Sequence, residues 1–126
     1  MNVKSIDMTW LVVKDFKAAL EFYTKVVGLK LMESSEEWGW AELQGHEGGS
    51  RLGIARTSSE EKLGPGSNAV PTFSVASLEV AAAEMEKKGA KRVGDVMEVP
   101  GHVKMLLFKD ADGNHFQMVE MLGSCC

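Results

Sequence analysis

Residues 12 to 31, "VVKDFKAALEFYTKVVGLKL", pass from a β-branched run through an aspartate and an apolar stripe to a glycine and a second apolar run. Asp15 carries the side-chain oxygen that a helix N-terminus needs, and Gly28 stands where a helix C-terminal glycine belongs. Between them Phe16, Ala19, Leu20, Tyr23 and Val27 recur at helical spacing, so the helix buries one face against a sheet. A strand over 6–14 precedes this helix. Three strands are predicted after it, at 29–33, 37–43 and 51–56.

The same order then starts again. Residues 58–68, "SSEEKLGPGSN", read as a linker, followed by a strand over 69–76, Ser77 as an N-cap, and a helix with Leu78, Ala81, Ala82 and Met85 on one stripe and Gly89 closing it. Strands follow near 91–97, 102–109 and 115–121. Val13 matches Val75, Gly28 matches Gly89, Leu43 matches Phe108 and Leu52 matches Phe116, with an offset that drifts only by small insertions. The expected architecture is α+β: one domain over 1–126 made of two tandem βαβββ modules, 6–57 and 69–122.

Composition narrows the function classes. A chain of 126 residues, 44% of them hydrophobic, suffices for one compact domain. No apolar run is long enough to cross a bilayer and the N-terminus lacks the pattern of a secretion signal, so a cytoplasmic protein is expected. The net charge is −4 and the basic residues are interspersed among acidic ones, which disfavours a nucleic-acid partner. Cys125 and Cys126 sit side by side at the C-terminus, where a disulfide framework and a thiol active site are both improbable.

"FKDADGNHFQMVE", residues 108–120, reads as a strand end, a tight turn and a second strand. Asp110, Asp112 and Asn114 have the alternation that opens a calcium-binding EF-hand loop, but that loop needs Gly at its sixth position and Glu at its twelfth. Here those places hold His115 and Met121, so a hairpin turn is the better reading.

The repeated βαβββ order, the helix motif of residues 12–31 and the "DADGN" turn together resemble the vicinal oxygen chelate superfamily, which includes glyoxalase I, bleomycin-resistance proteins, fosfomycin-resistance proteins and extradiol dioxygenases. The resemblance covers nearly the whole chain. It implies a cupped, barrel-like mixed sheet with helices on the outside, a cavity formed by both modules, and a homodimer. Function varies widely across such a fold. Metal enzymes of the superfamily are implied to carry His, Glu or Gln at one inward position on the first and last strand of each module. In this chain those positions fall on Met8, Gly53, Val70 and Gln117. Only Gln117 offers an oxygen, so neither a metal nor another cofactor is expected.

Strand alternation places Trp10 beside Met8, Thr72 beside Val70, and His115 beside Gln117. The repeat match adds Trp38, Trp40 and Glu42 in the first module, and Val103, Met105 and Leu107 in the second. The expected ligand-binding set is thus Met8, Trp10, Trp38, Trp40, Glu42, Val70, Thr72, Met105, Leu107, His115 and Gln117. An apolar surface with a few convergent polar groups suits a small organic ligand, here a flat aromatic or a cation held by indole faces and Glu42. Tryptophans on strands more often fill a core. The helices, however, already cover the opposite faces through Leu11, Val13, Phe73, Leu106, Phe108 and Phe116.

Two alternatives stay open. A one-residue register slip would exchange strand faces and allow a metal-dependent lyase or isomerase of the glyoxalase type, although the slipped set holds one carboxylate and no histidine. A metal-free enzyme would use His115 as its base, with Glu42 or Gln117 polarising the substrate.

Overall fold

The structure, a computed structural model, describes residues 6–57, 65, 66 and 69–123. The predicted linker lies largely outside these residues, and Cys125 and Cys126 lie wholly outside them. The chain divides into two compact units, Met1–Pro65 and Gly66–Cys126.

In the first unit, β1 (Met8–Val13) leads into helix α1 (Phe16–Glu21), and three strands follow, β2 (Lys30–Ser35), β3 (Trp40–Gly45) and β4 (Gly48–Arg56). Asp15 accepts a hydrogen bond from the Ala18 backbone N–H at 3.0 Å, the cap expected of it. After Glu21 the coil widens into a π-helical turn over Phe22–Val26, which sequence periodicity did not foresee. The Thr24 hydroxyl donates to the Leu20 carbonyl at 2.6 Å, and the Val27 N–H reaches back to Phe22. A side chain competing for backbone acceptors gives a local reason for the wider turn.

The sheet order is β1-β4-β3-β2, with β1 parallel to β4 and the other pairs antiparallel. Helix α1 supplies the crossover that the parallel pair requires, and short turns join the antiparallel strands. One sheet face packs on α1 and buries Leu11, Val13, Ala41, Leu43, Leu52 and Ile54 with Phe16, Ala19 and Tyr23. Each large side chain fully buried in this way contributes about 1.5–3 kcal/mol.

The second unit repeats the plan with β5 (Thr72–Ser74), α2 (Leu78–Lys87), β6 (Lys91–Val99), β7 (Val103–Lys109) and β8 (His115–Met121), in the order β5-β8-β7-β6. Ser77 caps α2 by accepting from the Val80 N–H, and Gly89 ends it at a φ of 99°. Leu78, Ala82 and Met85 bury the helix stripe, while Phe108 and Phe116 stack with centroids 5.7 Å apart beneath it.

The two tandem modules of the α+β reading are present, each with one helix on one face of a four-stranded mixed sheet. Pairing does not close a barrel. Among the described residues the strands form two open sheets, each ending in edge strands. β3 begins at Trp40, three residues later than predicted, because Glu36–Gly39 form a turn in which Gly39 takes a φ of 62°. β5 is shorter than the predicted 69–76, since its ladder with β8 spans only Thr72 to Ser74. Pro71, just before it, has no N–H to donate.

Candidate functional site: an aromatic face on the first unit

The sheet face of the first unit turned away from α1 gathers Trp10, Trp40, Glu42 and Arg51. Ladder register aligns Trp10 with Gly53, Gly53 with Glu42, and Glu42 with Glu33, so these four form one row across β1, β4, β3 and β2. Trp40 stands two residues along β3 from Glu42, on the same face, and leans diagonally over Gly53. Its ring meets Trp10 edge to face, with centroids 6.1 Å apart. Trp10 is 41% exposed and Trp40 is half-buried, so the pair offers an aromatic surface to solvent.

Gly53 makes this arrangement possible. A Cβ at this position would lie 2.6 Å from Cη2 of Trp40 and 2.8 Å from Cβ of Trp10, closer than atoms tolerate. The indole of Trp40 occupies the space that any larger side chain on β4 would claim.

A carboxylate fixes the same ring. Trp40 Nε1–H donates to Glu42 Oε2 at 3.0 Å, and Arg51 donates to Glu42 Oε1 at 2.8 Å. Glu33 stands 3.6 Å from Arg51, with its side chain largely exposed. The Arg51 hydrogen bond first, and the Trp40 hydrogen bond second, hold the Glu42 carboxyl below its ordinary pKa. Arg51 escaped the sequence reading. It is the diagonal neighbour of Glu42 across the β3–β4 ladder, a relation that appears only once the register is known.

Other predicted residues fall as follows. Met8 lies on the same face, half-buried, directly beside Arg51 in register. Trp38 does not stand on β3: it is 81% exposed in the β2–β3 turn, where its N–H donates to Ser35 Oγ at 3.3 Å. Arg56 holds that turn through the Glu36 carbonyl.

On the second unit, Thr72, Gln117 and Leu107 are neighbours in register, with Met105 paired to Val119 two positions along. Met105, Leu107, His115 and Gln117 are all half-buried on the face opposite Phe108 and Phe116. His115 Nδ1 is buried with no hydrogen-bond partner among the described residues. Val70 precedes β5, is 40% exposed, and accepts from the Thr72 hydroxyl through its carbonyl. His46 and His102 occupy turns, the former with Nε2 at 2.8 Å from the Gly28 carbonyl oxygen. A groove of about 840 Å³ runs between α2 and β6, lined by Leu78, Ala82, Arg92, Val96 and Lys104, on the helix side of this sheet and away from the predicted residues.

"DADGN" is a hairpin turn. Asp110 Oδ1 accepts from the Asp112 and Asn114 N–H groups at 2.9 Å, while Asn114 bonds Asp110 Oδ2 and accepts from the Gly66 N–H. These oxygens are spent on the turn's own backbone and on the segment leading into β5.

The metal implied by the resemblance finds poor donors at its four positions. Gly53 has no side chain and lies beneath an indole, Met8 offers a thioether, Val70 nothing, and Gln117 a neutral amide. That donor set does not fit zinc, nickel or manganese, which take several imidazoles, thiolates or carboxylates. Among the described residues, no group of three or more His, Cys, Asp or Glu side chains converges anywhere. No helix among them is long and apolar enough to cross a membrane.

No curated protein matches the chain. Among solved structures it is similar to TnmS3, an antibiotic binding protein from a Streptomyces species, at 17% identity and a TM-score of 0.78, covering 96% of this chain and 98% of that one. TioX from a Micromonospora species matches at 18% identity and a TM-score of 0.70, over 94% of this chain and 99% of that one. A superfamily member from Sphaerobacter thermophilus matches at 16% identity and a TM-score of 0.76, over 94% and 98%. At such identities the likeness is one of fold. The sequence profile of the Glyoxalase/Bleomycin resistance protein/Dioxygenase superfamily matches residues 5–118, and the chain belongs to that superfamily.

Proposed function

We propose that this chain is a binding protein that holds a small flat organic molecule against the Trp10–Trp40 face, without a metal and without turning it over. One observation carries this reading: two indoles meet at 6.1 Å over a glycine whose missing side chain makes room for Trp40, with Trp10 41% exposed and Trp40 half-buried. Such a surface binds by stacking, and stacking on indole is tolerant of ligand identity. The antibiotic-binding description of TnmS3, a relative in fold, lends direction to the same reading. The weak donors at the four metal positions support it from the other side. Homodimerisation and a cytoplasmic location belong to the same proposal, and light scattering reads the first.

The test is fluorescence quenching of the metal-free protein by planar aromatic compounds. Saturable quenching that chelators leave unchanged and that Trp40→Ala removes is the expected result. Stoichiometric zinc, nickel or manganese binding by calorimetry would instead favour the lyase or isomerase reading.

A second reading rests on His115, whose buried Nδ1 lacks a partner among the described residues. A base or hydrogen-bonding group waiting for a substrate would look like this. Chelator-insensitive turnover of an aromatic substrate, lost in His115→Ala, would single it out.

A further inference from the structure

We propose that Glu42 is a positioning residue for Trp40 rather than a receptor for ligand charge, and that the aromatic face therefore selects uncharged planar molecules over cationic ones. The inference rests on the reading of the Trp10–Trp40 face as a binding site, and it departs from the expectation that Glu42 and the indoles together attract a cation.

Both oxygens of Glu42 are already engaged, one by the Trp40 indole N–H at 3.0 Å and one by Arg51 at 2.8 Å. A carboxylate with a guanidinium at contact distance presents little net charge to a third group. A cation stacked on Trp40 therefore loses part of its hydration without a net attraction from this pair in return. Glu33 could restore a negative balance, but its side chain is 63% exposed and 3.6 Å from Arg51, so solvent screens it. The Glu42 side chain itself is only 16% exposed, tucked beside the ring it holds. What the carboxylate does provide is orientation. An indole lying over a glycine has no neighbouring β-carbon to stop it turning, and the hydrogen bond to Glu42 supplies that stop.

A matched pair of probes separates the roles: N-methylacridone, which is neutral, and N-methylacridinium, which is a permanent cation of nearly the same shape. In the unmodified protein the neutral probe is expected to bind more tightly, because the cation gives up hydration on stacking and the paired Glu42 and Arg51 return no net attraction for it. Arg51→Gln uncovers the carboxylate and should bring the cation to parity or better. Glu42→Gln keeps an acceptor for the indole N–H and should preserve binding of the neutral probe, whereas Glu42→Ala should weaken it. Preference of the unmodified protein for the cation, or loss of cation binding alone in Glu42→Gln, would overturn the proposal and make Glu42 a ligand contact.

Hydrogen exchange of the Trp40 indole N–H, followed by NMR in ligand-free protein, tests the clamp apart from any ligand. Faster exchange is expected in Glu42→Ala and near-parental exchange in Glu42→Gln. Equal exchange in all three proteins would overturn the positioning role even if both probes bind. Failure of both probes to bind, with the exchange pattern as expected, would instead remove the selectivity together with the binding function on which it rests.

Discussion

Gly53→Ala isolates the packing on which the aromatic face depends. The added methyl would lie 2.6 Å from Cη2 and 3.0 Å from Cζ2 of Trp40, and 2.8 Å from Cβ of Trp10. Carbon atoms attract best at about 3.5–4.0 Å, so one indole must move by about 1 Å. The outer ring of Trp40 swings aside, pulling Nε1 away from Glu42, and because the Trp10 Cβ is tied to its backbone, β1 and β4 must part slightly as well. Overpacking of this kind costs about 1–3 kcal/mol. Replacing glycine also stiffens the unfolded chain, which offsets about 0.4–1 kcal/mol. The net expectation is a loss of roughly 1–2 kcal/mol, which at a slope of about 2 kcal/mol per molar urea lowers the midpoint by about 0.5–1 M.

Tryptophan emission should shift at the same time, and quenching by a planar probe should weaken. Combining Gly53→Ala with Trp40→Leu should recover much of the stability loss, giving a coupling of at least about 1 kcal/mol between the two positions. A Gly53→Ala protein as stable as its parent, with unchanged emission and unchanged quenching, would refute the reasoning.

Phe116, fully buried and stacked on Phe108, should cost about 3–5 kcal/mol when changed to Ala, read as a lower urea midpoint without change in slope. Asn114→Ala removes the hydrogen bonds that Asn114 makes with Asp110 Oδ2 and with the Gly66 N–H, a loss of about 1–3 kcal/mol; added calcium should leave the midpoint of either protein unmoved. Acid should loosen Trp40. Because Arg51 and then Trp40 hold the Glu42 carboxyl below its ordinary value of 4.5, the contribution of this clamp is fully present above that value and is lost as pH falls through the lower folded value. The indole N–H resonance of Trp40 should therefore report Glu42, and Glu42→Gln should flatten that response. An unchanged acid response in Glu42→Gln would count against the assignment.

The module plan was legible because the signals on each element agreed. Asp15 and Ser77 cap their helices as read, and β8 spans the residues where alternation placed it, because Phe116 and Met118 face a helix while His115 and Gln117 do not. "EWGW" was misread as strand. Its alternation fits one, but Gly39 at positive φ turns the chain and carries Trp38 away from Trp40. Gly53 was legible as a position and not as a seat, because only the tilt of Trp40 across the ladder shows what occupies its missing side chain. Arg51 was missed for a related reason: its partnership with Glu42 is diagonal and depends on a register that turn lengths fix.

The most direct measurement of the central claim is a quenching titration of the metal-stripped protein with N-methylacridone, repeated on Trp10→Ala, Trp40→Ala and Trp38→Ala. Saturable binding that survives chelator and the loss of Trp38, and that falls at least about tenfold when Trp10 or Trp40 is removed, is the predicted result. Binding that needs an added divalent ion, or that is indifferent to Trp10 and Trp40, would contradict it.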